Sequence, residues 1–304
     1  MRILLAGGTG VLGRATVPRL VAAGHELVAV SRRSEADAAL RAAGAEPVRL
    51  DIFDGGAATQ TAEGADVVIN VATHIPPTAA AARPKAWAEN HRLRREASRV
   101  LAEAAVATGA RFIQESFAPT YPDGGADWIT EDTPLAPVAQ TTSVADAEAS
   151  ADLVTSNGGT GIALRFGLFY GAGSPQTREI VNGARKGLFL LPGPRHHYAS
   201  MVYVEDAAAA VVAALDLPAG AYNVVEDEPL TRSDHAAVLA QLVGRDRLRL
   251  MPAVVGRLPV LRALARSHRA SNKRLRESSR WRPTAPSVRE GWAMVLAEVD
   301  REQR

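Results

Sequence analysis

Three glycines, Gly7, Gly10 and Gly13, stand three residues apart between the apolar run RILLA (2–6) and the apolar-periodic stretch VLGRATVPRLVAAG (11–24). Glycine at these places lets a strand turn tightly into a helix, lets a pyrophosphate touch the main chain, and lets helix pack on strand. The helix start then offers free N–H groups and the positive end of its dipole. The chemistry indicated is dinucleotide binding, with Gly7, Thr9, Gly10, Val11, Leu12 and Gly13 as the phosphate-facing candidates; a plain tight turn is the competing reading. The next apolar run, ELVAV (26–30), is followed by Ser31, Arg32 and Arg33. An NAD site would place an acid there for the ribose 2′-hydroxyl. Two guanidiniums and a hydroxyl suit a 2′-phosphate, so NADP(H) is expected over NAD(H), against the alternative of an exposed basic loop. Asp51 and Ile52, after the third run, fall where the adenine packs, one to hydrogen-bond it and one to cover it.

Two titratable side chains follow later runs. His74 comes after the fourth and Tyr121 after the fifth, both at the carboxyl edge where open α/β sheets bind ligands. His74 suits acid–base exchange near neutrality. The competing readings are a loop histidine bonded to backbone and a packed aromatic. His196, His197 and Tyr198 either reach the same cleft from a lobe or lie on a surface loop. No carboxylate neighbours the histidine pair in sequence, so no metal site is expected. The absence of cysteine excludes disulfides and thiolate chemistry. The basic stretch 265–280 reads as a solvated helical face, with attraction of an acidic substrate as the lesser alternative.

The elements that must position these residues alternate along the chain. Strand-like runs at 2–6, 26–30, 46–50, 66–70, 111–115 and 161–166 are separated by helical stretches, including a long one over 85–108 and another over 137–150. Continuous apolar strands in a βαβα rhythm predict an α/β fold: a Rossmann-type doubly wound parallel sheet, covered on both faces. The expected division is a dinucleotide-binding domain over 1–170 and a smaller C-terminal substrate lobe over 171–304. The lobe is interleaved, with elements near 200–225 completing the sheet. Thirty-five Lys and Arg against 33 Asp and Glu give a net charge of +2, too balanced for a nucleic-acid partner. The first apolar run is too short for a signal peptide, and none spans a bilayer. The expectation is a cytoplasmic protein, monomer or homodimer, with a small-molecule substrate and no membrane partner.

These features together resemble an extended short-chain dehydrogenase/reductase of the epimerase/dehydratase-like branch. The resemblance runs through GGTGVLG, LDIFD, VINVATH, LRFGLFYGAGS, VYVEDAAAAVVAAL and RWRPTAPSVREGW, covering nearly the whole chain. It implies that Val71, Ala72 and Thr73 line the nicotinamide-side ribose and that Phe166 and Gly167 lie near the nicotinamide. The family's Tyr-x-x-x-Lys pair, followed four residues on by Glu, does not carry over. Matching that Glu to Glu148 puts Val144 at the Lys position and Gln140 at the Tyr position. No Tyr or Lys occurs between Trp128 and Phe166. The family's Ser/Thr position holds Phe117, with Ser116 beside it. The resemblance is thus to an atypical member. Gln140 is left to hydrogen-bond a substrate oxygen, and any acid–base role falls to Tyr121 or His74. Two functions stay open: an oxidoreductase or epimerase/dehydratase-like enzyme acting on a small carbonyl or hydroxyl metabolite, or a cofactor-binding protein without hydride transfer, in a redox-sensing or scaffold role.

Overall fold

A computed structural model of the chain describes residues 1–302. Seven strands form the central sheet: β1 (Arg2–Ala6), β2 (Glu26–Val30), β3 (Glu46–Val48), β4 (Val67–Asn70), β5 (Arg111–Phe117), β6 (Gly161–Phe166) and β7 (Gly220–Val224). Their spatial order is β7-β6-β5-β4-β1-β2-β3, every pair parallel. The strand order reverses between β1 and β4, and ligands settle outside the carboxyl ends of the strands at such a switch point.

The period-2 alternation of a strand divides the core in two. Ile3 and Leu5 of β1 face helices α1 (Val11–Ala22) and α2 (Ser34–Ala42), where Leu12, Leu20 and Leu40 are buried with them. Leu4 and Ala6 face the opposite layer, which holds Ala58 of α3 (Gly55–Ala62), Leu101 and Ala105 of α4 (Ser98–Thr108), and Val154 of α5 (Ser143–Ser156). Helix α6 (Val204–Ala213) sends Ala207 and Val211 into the first layer. With β7 it makes a late stretch of the chain part of the dinucleotide-type domain. The lobe has its own core around Tyr170, Phe189, Leu239 and the fully buried Trp292.

The structure changes two expected helices. The stretch read as one helix over 85–108 is a 3₁₀ turn (Pro84–Trp87), a short α-segment (Ala88–Arg92), a π-turn (Leu93–Ala97) and then α4. The helix expected from Pro137 begins only at Ser143. Residues 137–138 are irregular and 139–142 form turns instead: Thr141 accepts the Val138 N–H on its hydroxyl at 2.9 Å, a local bond that competes with helix formation. Gln140 therefore stands in the turn before α5, not on a helix. The strands expected at 46–50 and 66–70 are shorter, and the one expected at 111–115 extends to Phe117. Among the described residues no helix is long and apolar enough to cross a membrane, and no group of three or more His, Asp or Glu side chains could hold a metal ion.

Candidate active site

The glycine turn is built for close approach. Gly7 has φ +92°, and a Cβ there would lie 2.6 Å from the backbone of Val71 and Ala72 at the exit of β4. A Cβ on Gly13 would lie 2.1 Å from the Gly7 carbonyl oxygen. Gly10 differs. It is exposed, and a Cβ there would meet only the Gly7 oxygen, at 3.3 Å. Gly10 is the N-cap of α1; no side chain caps the helix, and its first turn carries no acid. An uncapped helix start beside an open glycine is a fit for a phosphate. Thr9 is exposed here and Val11 half-buried, while the Leu12 side chain enters the core.

At the end of β2, Arg32 and Arg33 are exposed, and the Arg32 guanidinium lies 4.0 Å from Glu89. Ser31 is buried. Its hydroxyl donates to the Arg33 carbonyl at 3.0 Å and accepts from Arg49 at 2.9 Å. Arg49 also donates to Asp37 at 2.6 Å. Sequence reasoning missed Arg49 as a third guanidinium at this end, although it stands two residues before Asp51. Asp51 is exposed and accepts the Phe53 N–H at 3.1 Å, and Ile52 is buried. The Arg92 guanidinium sits 3.6 Å above the centre of the Phe53 ring.

At the carboxyl ends of β5 and β6 the structure assembles a buried polar network. Arg165 of β6 grips Glu148 of α5 with two contacts, Nε to Oε1 at 2.8 Å and Nη2 to Oε2 at 2.7 Å. Ser116, which pairs with Arg165 across the sheet, donates its hydroxyl to Glu148. Arg165 Nη1 donates to the Tyr121 hydroxyl at 2.7 Å and to the Glu131 carbonyl at 2.9 Å. The Tyr121 hydroxyl in turn donates to Asn223 of β7 at 2.9 Å. Next to it on β5, Glu115 pairs with Arg94, which the π-turn aims inward, at 2.8 Å. Burial pushes the Glu115 carboxyl up, and Arg94 opposes that shift. The network was missed because its members lie far apart in sequence. Its signal was present all the same: a charge inside a buried strand, such as Glu115 or Arg165, requires a partner.

The other sequence-derived candidates fall as follows. Tyr121 is fully buried, its hydroxyl engaged both as donor and as acceptor; burial pushes its pKa up to about 12 against the pull of Arg165. The hydroxyl is thus in its neutral form at neutral pH, held between Arg165 and Asn223. His74 is exposed, and its backbone N–H donates to Asn90 Oδ1 at 2.9 Å. Gln140 has a buried Oε1 that meets no donor, and Val144 is fully buried. Neither His74 nor Gln140 bonds to the Arg165 network. Val71 is buried beside the glycine turn, Ala72 is half-buried and Thr73 exposed. Phe166 is buried at the end of β6, and a Cβ on Gly167 would lie 2.7 Å from the Ser200 carbonyl oxygen. A further imidazole that the sequence reading passed over, His91, lies 2.8 Å from the hydroxyl of Ser143 at the start of α5, and burial lowers its pKa.

Comparison with known proteins agrees with this fold. The NAD dependent epimerase/dehydratase family matches residues 3–225. The 3-diazoavenalumate denitrifying reductase of a Streptomyces species is 33% identical over 319 residues, covering 96% of this chain and 99% of that protein. Two solved structures share the fold. Human epimerase family protein SDR39U1 with NADPH has a TM-score of 0.79 at 20% identity, over 98% of this chain and 99% of that one. The dTDP-glucose 4,6-dehydratase DesIV of Streptomyces venezuelae with NAD and TYD bound also has a TM-score of 0.79 at 20% identity, over 100% and 98%. The chain belongs to the NAD dependent epimerase/dehydratase family.

Proposed function

We propose that this protein is an NADPH-dependent reductase that delivers hydride to a small electrophile needing no proton from the enzyme, of the diazo-arene class. The observation that carries the reading is chemical. Where the family resemblance expects a tyrosine–lysine pair, the chain has Gln140, whose amide does not titrate, and Val144, which is fully buried. When bound, the reduced nicotinamide supplies hydride. A carbonyl that accepts hydride becomes an alkoxide and then needs a proton. An arenediazonium does not: its C–N bond breaks, a C–H bond forms, N₂ leaves, and cation plus hydride gives a neutral arene. A relative that matches 96% of this chain is named a 3-diazoavenalumate denitrifying reductase, which supports this assignment.

The chain's own part is then to bind and orient. The open Gly10 and the uncapped start of α1 receive the pyrophosphate. Phe166, Gly167 and the exit of β4 frame the nicotinamide side, and the Glu148–Arg165 network holds the strand ends in register. Gln140 offers a buried amide oxygen without a donor, a contact for a substrate N–H or O–H. The decisive experiment uses NADPH deuterated on each C4 face in turn, with 4-carboxybenzenediazonium and 4-carboxybenzaldehyde as paired substrates and heat-denatured protein as the blank. Deuterium should enter the arene from one face of the cofactor, and the aldehyde should turn over at least about 100-fold more slowly, the scale of lost acid catalysis. Faster aldehyde reduction, or arene hydrogen derived from solvent, rejects the assignment.

The preference for NADPH rests on Arg32 and Arg33. Each charge-assisted contact is worth roughly 1.5–3 kcal/mol, so Arg32→Ala/Arg33→Ala should weaken NADPH binding at least about tenfold and leave NADH binding unchanged. Calorimetry reads both, and unchanged NADPH affinity sinks the assignment.

A further inference from the structure

A cavity of about 530 Å³ opens in the lobe beside the exit of β5, within the range of roughly 300–1,000 Å³ typical of small-molecule sites. Pro194, Ala253, Val254 and Ala265 give it apolar walls, and the cationic residues Arg257, Arg262 and Arg266 also line it. Arg257 and Arg262 form no ion pair or hydrogen bond with another described residue. Asp123, the one carboxylate in the lining, is already engaged: it accepts the N–H of Gly125 at 3.0 Å and of Ser267 at 3.1 Å, and lies 3.7 Å from His197. Behind the wall stands a fourth guanidinium. Arg232 is 1% exposed and donates only to main-chain carbonyls, those of Pro192, Tyr198, Leu264 and Arg266. Among the described residues no carboxylate lies within ion-pair distance of it, and Asp123 is the carboxylate that acts on it across space, so part of its charge adds to the positive potential of the cavity.

The cavity is tied to the candidate active site through the backbone. Arg266 Nη1 donates to the carbonyls of Tyr121 at 2.9 Å and Ala136 at 2.7 Å. Tyr121 belongs to the Arg165 network, and Ala136 lies in the segment just before the turn that carries Gln140. A molecule with one end in this cavity would thus lie along the loops that follow β5.

We propose that this cavity binds the carboxylate of an apolar organic acid and makes the protein selective for anionic substrates. Apolar walls suit a hydrocarbon or aromatic body. Free guanidinium forks suit a carboxylate, which they can grip with two parallel bonds. The proposal rests on the reductase reading for its consequence in turnover, and on the cavity alone for binding.

The test is calorimetry on the NADPH-loaded protein with cinnamate and its neutral analogue cinnamamide as probes. Cinnamate should bind at least tenfold tighter. Arg257→Gln/Arg262→Gln should abolish that preference while leaving the cinnamamide and NADPH affinities unchanged, the latter showing that the variant is folded. Equal affinity for the two probes, or a preference that survives the double substitution, overturns the proposal. Tighter binding of phenyl phosphate than of cinnamate overturns the carboxylate assignment. Turnover separates this proposal from the functional reading. If cinnamate is preferred through the two arginines but no arenediazonium is reduced, the cavity assignment stands and the reductase reading fails. If 4-carboxybenzenediazonium and its carboxamide are reduced with equal kcat/KM, the cavity assignment fails and the reductase reading stands.

Discussion

Replacing Arg165 with methionine should lower stability by about 3–5 kcal/mol, the cost of breaking a buried ion pair from one side, and lower Tm by roughly 10 °C. The side chains of Arg165 and Glu148 are only 9% and 12% exposed. Arg165 supplies both strong contacts to that carboxylate and also satisfies the Tyr121 hydroxyl and the Glu131 carbonyl. Methionine fills the stem volume of arginine but leaves the carboxylate with only the Ser116 hydroxyl. Adding Glu148→Leu removes the stranded charge and should restore much of the loss, since replacing both partners is far milder than removing one. Urea denaturation of the two single variants and the double variant completes the cycle. An Arg165→Met protein within about 1 kcal/mol of wild type would show that the network contributes little, because removal of a working buried partner cannot be that mild.

That network also marks where the sequence stopped being legible. The sheet could be read almost strand by strand, because parallel strands covered on both faces must be apolar throughout, and RILLA, ELVAV and GIALR-type runs have few other uses. The glycine turn was legible for a similar reason: its spacing is set by backbone clearances of about a single Cβ. Helix starts were harder. The 137–150 stretch contains nothing that forbids a helix, yet one hydroxyl, that of Thr141, takes the Val138 N–H and delays the start to Ser143. The π-turn at Leu93–Ala97 leaves no mark on a periodic pattern that is read in whole turns. It nevertheless aims Arg94 at Glu115. Long-range polar pairing is legible only as a demand. Glu115 and Arg165 announce that partners exist, but Arg94 and Glu148 become visible only once the strands are in place. Tyr121 shows the same limit: its place at the sheet edge and the packed-aromatic alternative were readable, but Arg165 and Asn223 as the partners of its hydroxyl were not.

Gly10→Val should abolish detectable NADPH binding, a loss of about 100-fold or more, equivalent to roughly 2.7 kcal/mol, and leave the fold intact. The two halves of this expectation come from different parts of the geometry. Gly10 has φ −73° and ψ 178°, an extended conformation open to any residue. The nearest atom to a Cβ there is the Gly7 carbonyl oxygen at 3.3 Å, so the protein itself can accommodate a side chain with a shift of a few tenths of an ångström. The space a valine would fill is the approach to the uncapped start of α1, which the dinucleotide phosphates need. The neighbouring glycines predict the opposite pattern. A Cβ on Gly13 would stand 2.1 Å from the Gly7 oxygen and 2.6 Å from Gly8, so Gly13→Ala must push α1 away from β1 and should lower Tm as well as affinity. The pair of variants therefore separates a ligand-facing glycine from a packing glycine. Differential scanning calorimetry with and without NADPH reads both quantities. Wild type should gain Tm with cofactor, Gly10→Val should match the unliganded Tm and gain nothing, and Gly13→Ala should start lower. If Gly10→Val gains as much as wild type, the phosphates do not pass over Gly10, and the cradle assigned to the start of α1 is wrong.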